Sequence, residues 1–106
     1  MTLQQRTVLE ERHVTVFLSG EIDHCNAPRL SETLCRCLET GPELVTVDLT
    51  QVSFCGCAGV NVLLQARRRA AGEGATLTVS GVRAPIVARL FDVVGVDAIL
   101  GLPQPT

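Results

Sequence analysis

The stretch DLTQVSFCGCAGVNVLL, residues 48–64, decides the fold, because a strand-like apolar run gives way within it to a helix-like one. Before it, ELVTVDL (43–49) is β-branched and almost continuously apolar, which predicts a short strand with both faces covered. After it, Val60, Leu63, Leu64 and Ala71 recur at helical spacing, and the helix is expected to run from about Ala58 to the breaker AGEG (71–74). Residues 48–64 are therefore read as a strand-to-helix junction.

Working outward, RTVLEERHVTVFLSGEID (6–23) alternates Val14, Val16 and Leu18, with Glu11 and Arg12 as the turn between two short strands. NAPRLSETLCRCLETGP (26–42) then changes period. Ala27, Leu30, Leu34 and Cys37 or Leu38 fall on one helical face, Asn26 is placed as the cap, Pro28 lies in the first turn and Gly41-Pro42 stops the helix. ATLTVSG (75–81) reads as the next strand, and APIVARLFDVV (84–94), with Pro85 in its first turn, as a third helix. A last short turn, VDAILGL (96–102), precedes a Pro-containing tail.

The order β-β-α-β-α-β-α predicts an α/β fold, a small mixed sheet of about four to five strands with helices packed against it. The first strand is antiparallel, and the later strands, joined by helical crossovers, are parallel. In such sheets the functional edge lies where strands end and helices begin. SGEIDHCNAP (19–28) and VSFCGCAGV (52–60) both sit on such junctions.

Composition limits the function. The 106 residues fit one domain with one core, made aliphatic by the lack of Trp and Tyr and the presence of only three Phe. A net charge of −2 lacks the basic excess that nucleic-acid binding needs, and Arg67–Arg69 reads as a solvated helix face. No signal-peptide core and no window near about 20 apolar residues is present, so a cytoplasmic protein without membrane insertion is expected. Five cysteines, an odd number scattered through apolar runs, are expected as reduced thiols.

Three chemistries compete for Cys-Gly-Cys at 55–57. A zinc site needs three or four converging ligands, but Cys35 and Cys37 on one helix point about 200° apart, and His13 and His24 have no ligand spacing. No metal or other cofactor is expected. A Cys55–Cys57 redox pair, with Cα atoms about 6.6 Å apart if extended, lies near the limit of disulfide geometry. Cys55 reads as a small core residue instead. Cys57 falls about where an N-cap belongs, facing the positive end of a helix dipole, a place that suits a reactive thiol. His24 approaches it if the two junctions are adjacent, but no second carboxylate or oxyanion motif accompanies it, and an enzyme is not expected.

FLSGEIDHCNAPRLSETL (17–34), VTVDLTQVSFCGCAGVNVLLQARRRA (45–70) and LTVSGVRAPIVARLFDVVGVDAILGL (77–102) together resemble a STAS domain of the anti-sigma factor antagonist type, over about residues 6–102. The resemblance implies a binding module in a partner-switching system that regulates sigma-factor-dependent transcription. Its partner would be an anti-sigma factor, often a GHKL-type serine kinase. Phosphorylation of one serine at the start of the helix after the third strand ends the association. The pattern there resembles D-S-S/T-G-L, so Gly56 stands for the aspartate, Cys57 for the phosphorylated serine and Ala58 for the next hydroxyl residue, followed by Gly59 and Val60. Asp23 and Asn26 correspond to the neighbouring loop, and Asn61, on the turn after Gly59, is expected to face outward as a further contact. The departure at Cys57 implies either escape from phosphorylation or a thiol switch at the same place. A STAS subunit supporting an ABC-type lipid-transport ATPase is the alternative from another class, and a small thiol-redox protein is a third.

Overall fold

The structure is a computed structural model, and it describes residues 3–81. Strands β1 (Leu3–Glu10) and β2 (His13–Ile22) form the expected hairpin, in antiparallel register from Glu10↔His13 to Leu3↔Gly20. Glu11 turns the chain with φ 55°, the left-handed conformation that a two-residue hairpin turn demands.

Helix α1 (Ala27–Glu39) follows, and Ala27, Leu30, Leu34, Cys37 and Leu38 are all buried along its inner face. It stops where the sequence predicts: the amides of Thr40 and Gly41 bond back to Cys37 and Leu38, and Gly41 takes φ 74°, which glycine adopts without a Cβ clash.

Strand β3 spans Leu44–Cys55, helix α2 Cys57–Gly72 and strand β4 Thr76–Ser80. The sheet order is β1-β2-β3-β4, with β2, β3 and β4 mutually parallel. Parallel crossovers are right-handed in nearly all proteins. Two successive steps in one direction along the sheet therefore place α1 and α2 on the same face. An exposed ion pair, Arg69 Nη2 to Glu39 Oε1 at 4.0 Å, joins the two helices. The β-β-α-β-α-β order is the expected mixed α/β fold, and the third helix and last turn expected at 84–102 lie outside the described residues.

Three expectations change in detail. Strand β3 runs six residues past Leu49, to Cys55, because its pairing with β2 shifts between Phe17 and Ser19 and again between Gly20 and Glu21. Each shift gives β3 one extra residue, the signature of a bulge. Alternation is lost across Thr50–Phe54, which hides the strand from a period-two reading. Nor is β3 covered equally on both faces: Val45, Val47 and Leu49 are fully buried, whereas Leu44, Thr46 and Asp48 are half-buried.

Third, the inner face of α2 is Gly59, Val60, Leu63, Ala66 and Ala70; Leu64 is half-buried and Ala71 exposed. Ala66 and Ala70 follow Leu63 at three and seven residues, directly above it on the helix, whereas Ala71 has rotated to solvent. The core cluster joins these residues to Val14, Val16, Leu18 and Ile22 of β2, and to Leu30 and Leu34 of α1.

Candidate functional site

Parallel β2 and β3 both end at the same edge of the sheet, so the loops that follow them emerge side by side. Ile22 and Cys55 are register partners, and one residue further on the Gly56 amide donates to the Ile22 carbonyl at 2.9 Å. The loop into α1 and the start of α2 are thus tied at their roots. This brings Asp23 and Asn26 to the same edge as Gly56, Cys57, Ala58, Gly59 and Asn61.

The start of α2 differs from expectation by one residue. Gly56, in extended conformation (φ −83°, ψ 177°), is the N-cap, and Cys57 is the first helical residue. The Gly56 carbonyl accepts from the amides of Gly59 and Val60, which closes the first turn. No side chain caps this helix and its first turn carries no acid. Gly56 is not forced to be glycine, because a Cβ there meets only ordinary contacts, the nearest at 3.5 Å on Phe54. Gly59 is forced. A Cβ on it would stand 2.6 Å from Ile22 Cγ2 and 2.7 Å from Cys55 Sγ, so only hydrogen fits between α2 and the strand ends.

The two cysteines of the C-G-C stretch differ in burial, and Cys55 is the core residue expected. Cys55 is 2 % exposed, and burial, with the Cys57 thiol adjacent, pushes its pKa up to about 11. It is an inert core thiol. Cys57 is exposed at the surface. All five cysteines are thiols, and Cys37, on the inner face of α1, is likewise shifted upward by desolvation.

The loop after β2 holds itself from within. Asn26, at 7 % exposure the one buried polar side chain among the described residues, donates Nδ2–H to the Glu21 carbonyl at 2.8 Å. Its Oδ1 accepts from the Asp23 amide at 2.9 Å. Asp23 Oδ1 in turn accepts from the amides of Cys25 at 2.9 Å and Asn26 at 3.0 Å. The expected Asn26 cap bond is absent: Asn26 has helical φ and ψ, and its amide is engaged backward with the loop instead of forward with α1. Asp23 Oδ1 receives the amides at this turn.

His24 and Cys25 point outward, with Cys25 Sγ 3.5 Å from His24 Nε2. Although the two junctions are adjacent, the hydrogen bond of His24 is to Cys25 and not to Cys57. Cys25 carries no motif of its own in the sequence; the signal that finds it is its place in the D-H-C-N turn, where the side chains of Asp23 and Asn26 are bonded within the loop. Asn61 is exposed one turn into α2, and Ala58 and Gly56 are half-buried. Among the nearby hydroxyls, Ser53 is exposed and donates to the Gly20 carbonyl at 3.3 Å, while Thr50 is half-buried beside Asp48. Among the described residues, no three Cys, His, Asp or Glu side chains converge as a metal would require, and no helix is long and apolar enough to cross a membrane.

Among the described residues, a mixed sheet of four strands with two helices on one face, and two loops tied together at its strand ends, defines a small α/β domain. Residues 6–102 match the family model described as "Mlab, STAS domain", and the chain belongs to the STAS domain family. The anti-sigma-B factor antagonist of Bacillus subtilis is 29 % identical over 92 residues, 87 % of this chain and 83 % of the relative. Among solved structures, an anti-sigma factor antagonist from Mycobacterium paratuberculosis superposes with a TM-score of 0.83 at 24 % identity, covering 99 % of this chain and 87 % of that one. The Bacillus anti-sigma factor antagonist SpoIIAA in its unphosphorylated form gives 0.76 at 16 % identity, covering 95 % of this chain and all of that one. At these identities the two structures share the fold.

Proposed function

We propose that this chain is an anti-sigma factor antagonist that binds an anti-sigma factor of the GHKL serine-kinase type and works by association, not by turnover. Its docking surface is the paired loop edge, residues 23–26 and 56–61, and its effect is to release a sigma factor in a partner-switching system. One observation carries the reading: Cys57 is exposed as the first residue of α2, tied through Gly56 to the end of β2, at the place where the resembling family carries its phosphorylated serine.

That same position lacks a hydroxyl throughout Gly56-Cys57-Ala58-Gly59. Phosphorylation acts by adding up to two negative charges and acceptor oxygens at an interface. A chain with no acceptor there stays in its binding state, as a constitutive antagonist or a decoy that occupies the kinase in the cytoplasm. The test is capture of the purified anti-sigma kinase by wild type, Cys57→Ser and Cys57→Asp, followed by incubation with ATP. Wild type is expected to bind and stay unphosphorylated, while Cys57→Asp binds poorly. Phosphate on wild-type Ser53 or Thr50 overturns the escape from control.

The hydroxyl-free start of α2 also suits a STAS subunit that supports an ABC-type lipid-transport ATPase. Capture of such an ATPase, and no anti-sigma kinase, selects that reading. The exposure of Cys57 suits a third, in which hydrogen peroxide converts the thiol to a sulfenic acid with loss of water and so adds polarity at the interface. Loss of kinase binding after peroxide, abolished in Cys57→Ala, selects it.

A further inference from the structure

We infer that Asn26 is a positioning residue of the docking surface and that His24 and Cys25, held out by it, join Cys57 as the side chains that meet the partner. The inference rests on the docking reading above and deepens it.

The argument begins with where the hydrogen bonds go. Residues 23–27 form a tight turn in which the identified side-chain bonds of Asp23 and Asn26 all go to backbone groups between Glu21 and Asn26. The Asn26 amide spans from the Glu21 carbonyl to the Asp23 N–H, Asp23 Oδ1 collects the amides of Cys25 and Asn26, and the Ala27 amide returns to the Asp23 carbonyl at 2.9 Å. A buried amide side chain with a donor and an acceptor both satisfied is costly to replace, because removing it leaves the Glu21 carbonyl and the Asp23 amide without their partner. The turn is therefore built in one conformation before any partner arrives.

Its geometry leaves two residues pointing out. His24 and Cys25 are exposed, hydrogen-bonded to each other, and lie on the loop whose root is fixed to Gly56, next to the exposed Cys57. A preorganised loop binds more tightly than a mobile one because its ordering cost has already been met in the free protein. Asn26, too buried to offer much surface itself, thus acts on affinity through the side chains of His24 and Cys25.

A double-mutant cycle with the purified anti-sigma kinase and ATP, combined with amide hydrogen exchange on the free protein, tests this. His24→Ala is expected to weaken binding about tenfold, as a central contact does, with exchange unchanged. Asn26→Ala should raise exchange at the Cys25 and Asn26 amides, leave β2 and β3 protected, and weaken binding by a similar factor. Combined, the two losses should fall well short of their product, because a disordered loop no longer presents His24. Should Asn26→Ala fail to fold, Asn26→Ser, neutral and too short to bridge Glu21 and Asp23 together, keeps one polar group in the turn and gives an intermediate result. Multiplying losses, or loop exchange unchanged by either Asn26 variant, overturns the inference. If no form binds the kinase, the docking reading itself fails and the assignment of His24 and Cys25 as contacts fails with it. Exchange on the free protein then still decides whether Asn26 locks the loop.

Discussion

Gly59 of α2 lies so close to Ile22 of β2 that the two elements touch through a hydrogen where any other residue would place a methyl, at 2.6 Å from Ile22 Cγ2. Ile22 is fully buried and β-branched, so it has little freedom to retreat. This contact fixes how near the start of α2 comes to the loop after β2, and with it the spacing of Cys57 from His24 and Cys25.

Gly59→Ala should therefore destabilise the fold, although alanine is the better helix former. Overpacking at a rigid contact costs about 1–3 kcal/mol, which exceeds the gain of about 1 kcal/mol from helix propensity. Gly72 is the internal control: it ends the same helix with nothing within 4 Å of its missing Cβ. Gly72→Ala should stabilise by about 0.5–1 kcal/mol. Urea midpoints of the two variants should move in opposite directions, and a shared direction would remove the close-approach argument.

The thiols should separate by burial. Cys25 and Cys57 are exposed, Cys35 is half-buried, and Cys37 and Cys55 are buried with their thiolates disfavoured. Labelling of the native protein with a maleimide near pH 7.5 should modify Cys25 and Cys57 first, and Cys55 only at the rate of unfolding. Peptide mass spectrometry reads the order. Early modification of Cys55 would mean that the strand end opens without global unfolding.

Cys55 also makes stability depend on pH at the alkaline end. Its pKa rises from an ordinary 9.0 to about 11 on folding, so the folded state holds the proton more tightly. Its contribution is fully present below pH 9 and is lost between about pH 9 and 11, as the unfolded thiol ionises first. Unfolding free energy should fall across that window in wild type and fall less steeply in Cys55→Ala. Equal slopes would show that other groups account for the alkaline loss.

The hairpin, α1 and the parallel order were legible in the sequence because each follows one clean period. Val14, Val16 and Leu18 alternate, and Ala27, Leu30, Leu34 and Cys37 climb one helical face. The end of β3 was not, because two bulges break the alternation between Thr50 and Cys55. At the site, the burial of Cys55 was legible from its residue type and its place at a strand end. The internal use of Asn26 was not: a residue before a helix is read as its cap, and only three dimensions show its amide turned toward Glu21. The need for glycine at 59 was equally hidden, since it arises from Ile22, remote in sequence.

Supplying the serine that the resembling family carries is the sharpest check on the escape from phosphorylation proposed for Cys57. Nothing in the backbone opposes it: Gly56 has ordinary φ and ψ with its nearest Cβ contact at 3.5 Å, and Cys57 is exposed. Gly56→Asp adds a carboxylate as the N-cap, which strengthens a helix start that has no side-chain cap by a few tenths of a kcal/mol, about 0.3, since glycine is already tolerated there. Cys57→Ser supplies the hydroxyl. The double variant should fold at least as stably as wild type and, with the anti-sigma kinase and ATP, gain one phosphate at residue 57. Phosphate there would add up to two negative charges to the proposed docking edge, and binding to the kinase should fall as phosphorylation proceeds, while wild type under the same conditions stays bound. If the double variant remains unphosphorylated by a kinase that binds it, the missing hydroxyl is not what separates this chain from phosphorylation, and the cause must lie in how the surrounding loop edge meets the kinase.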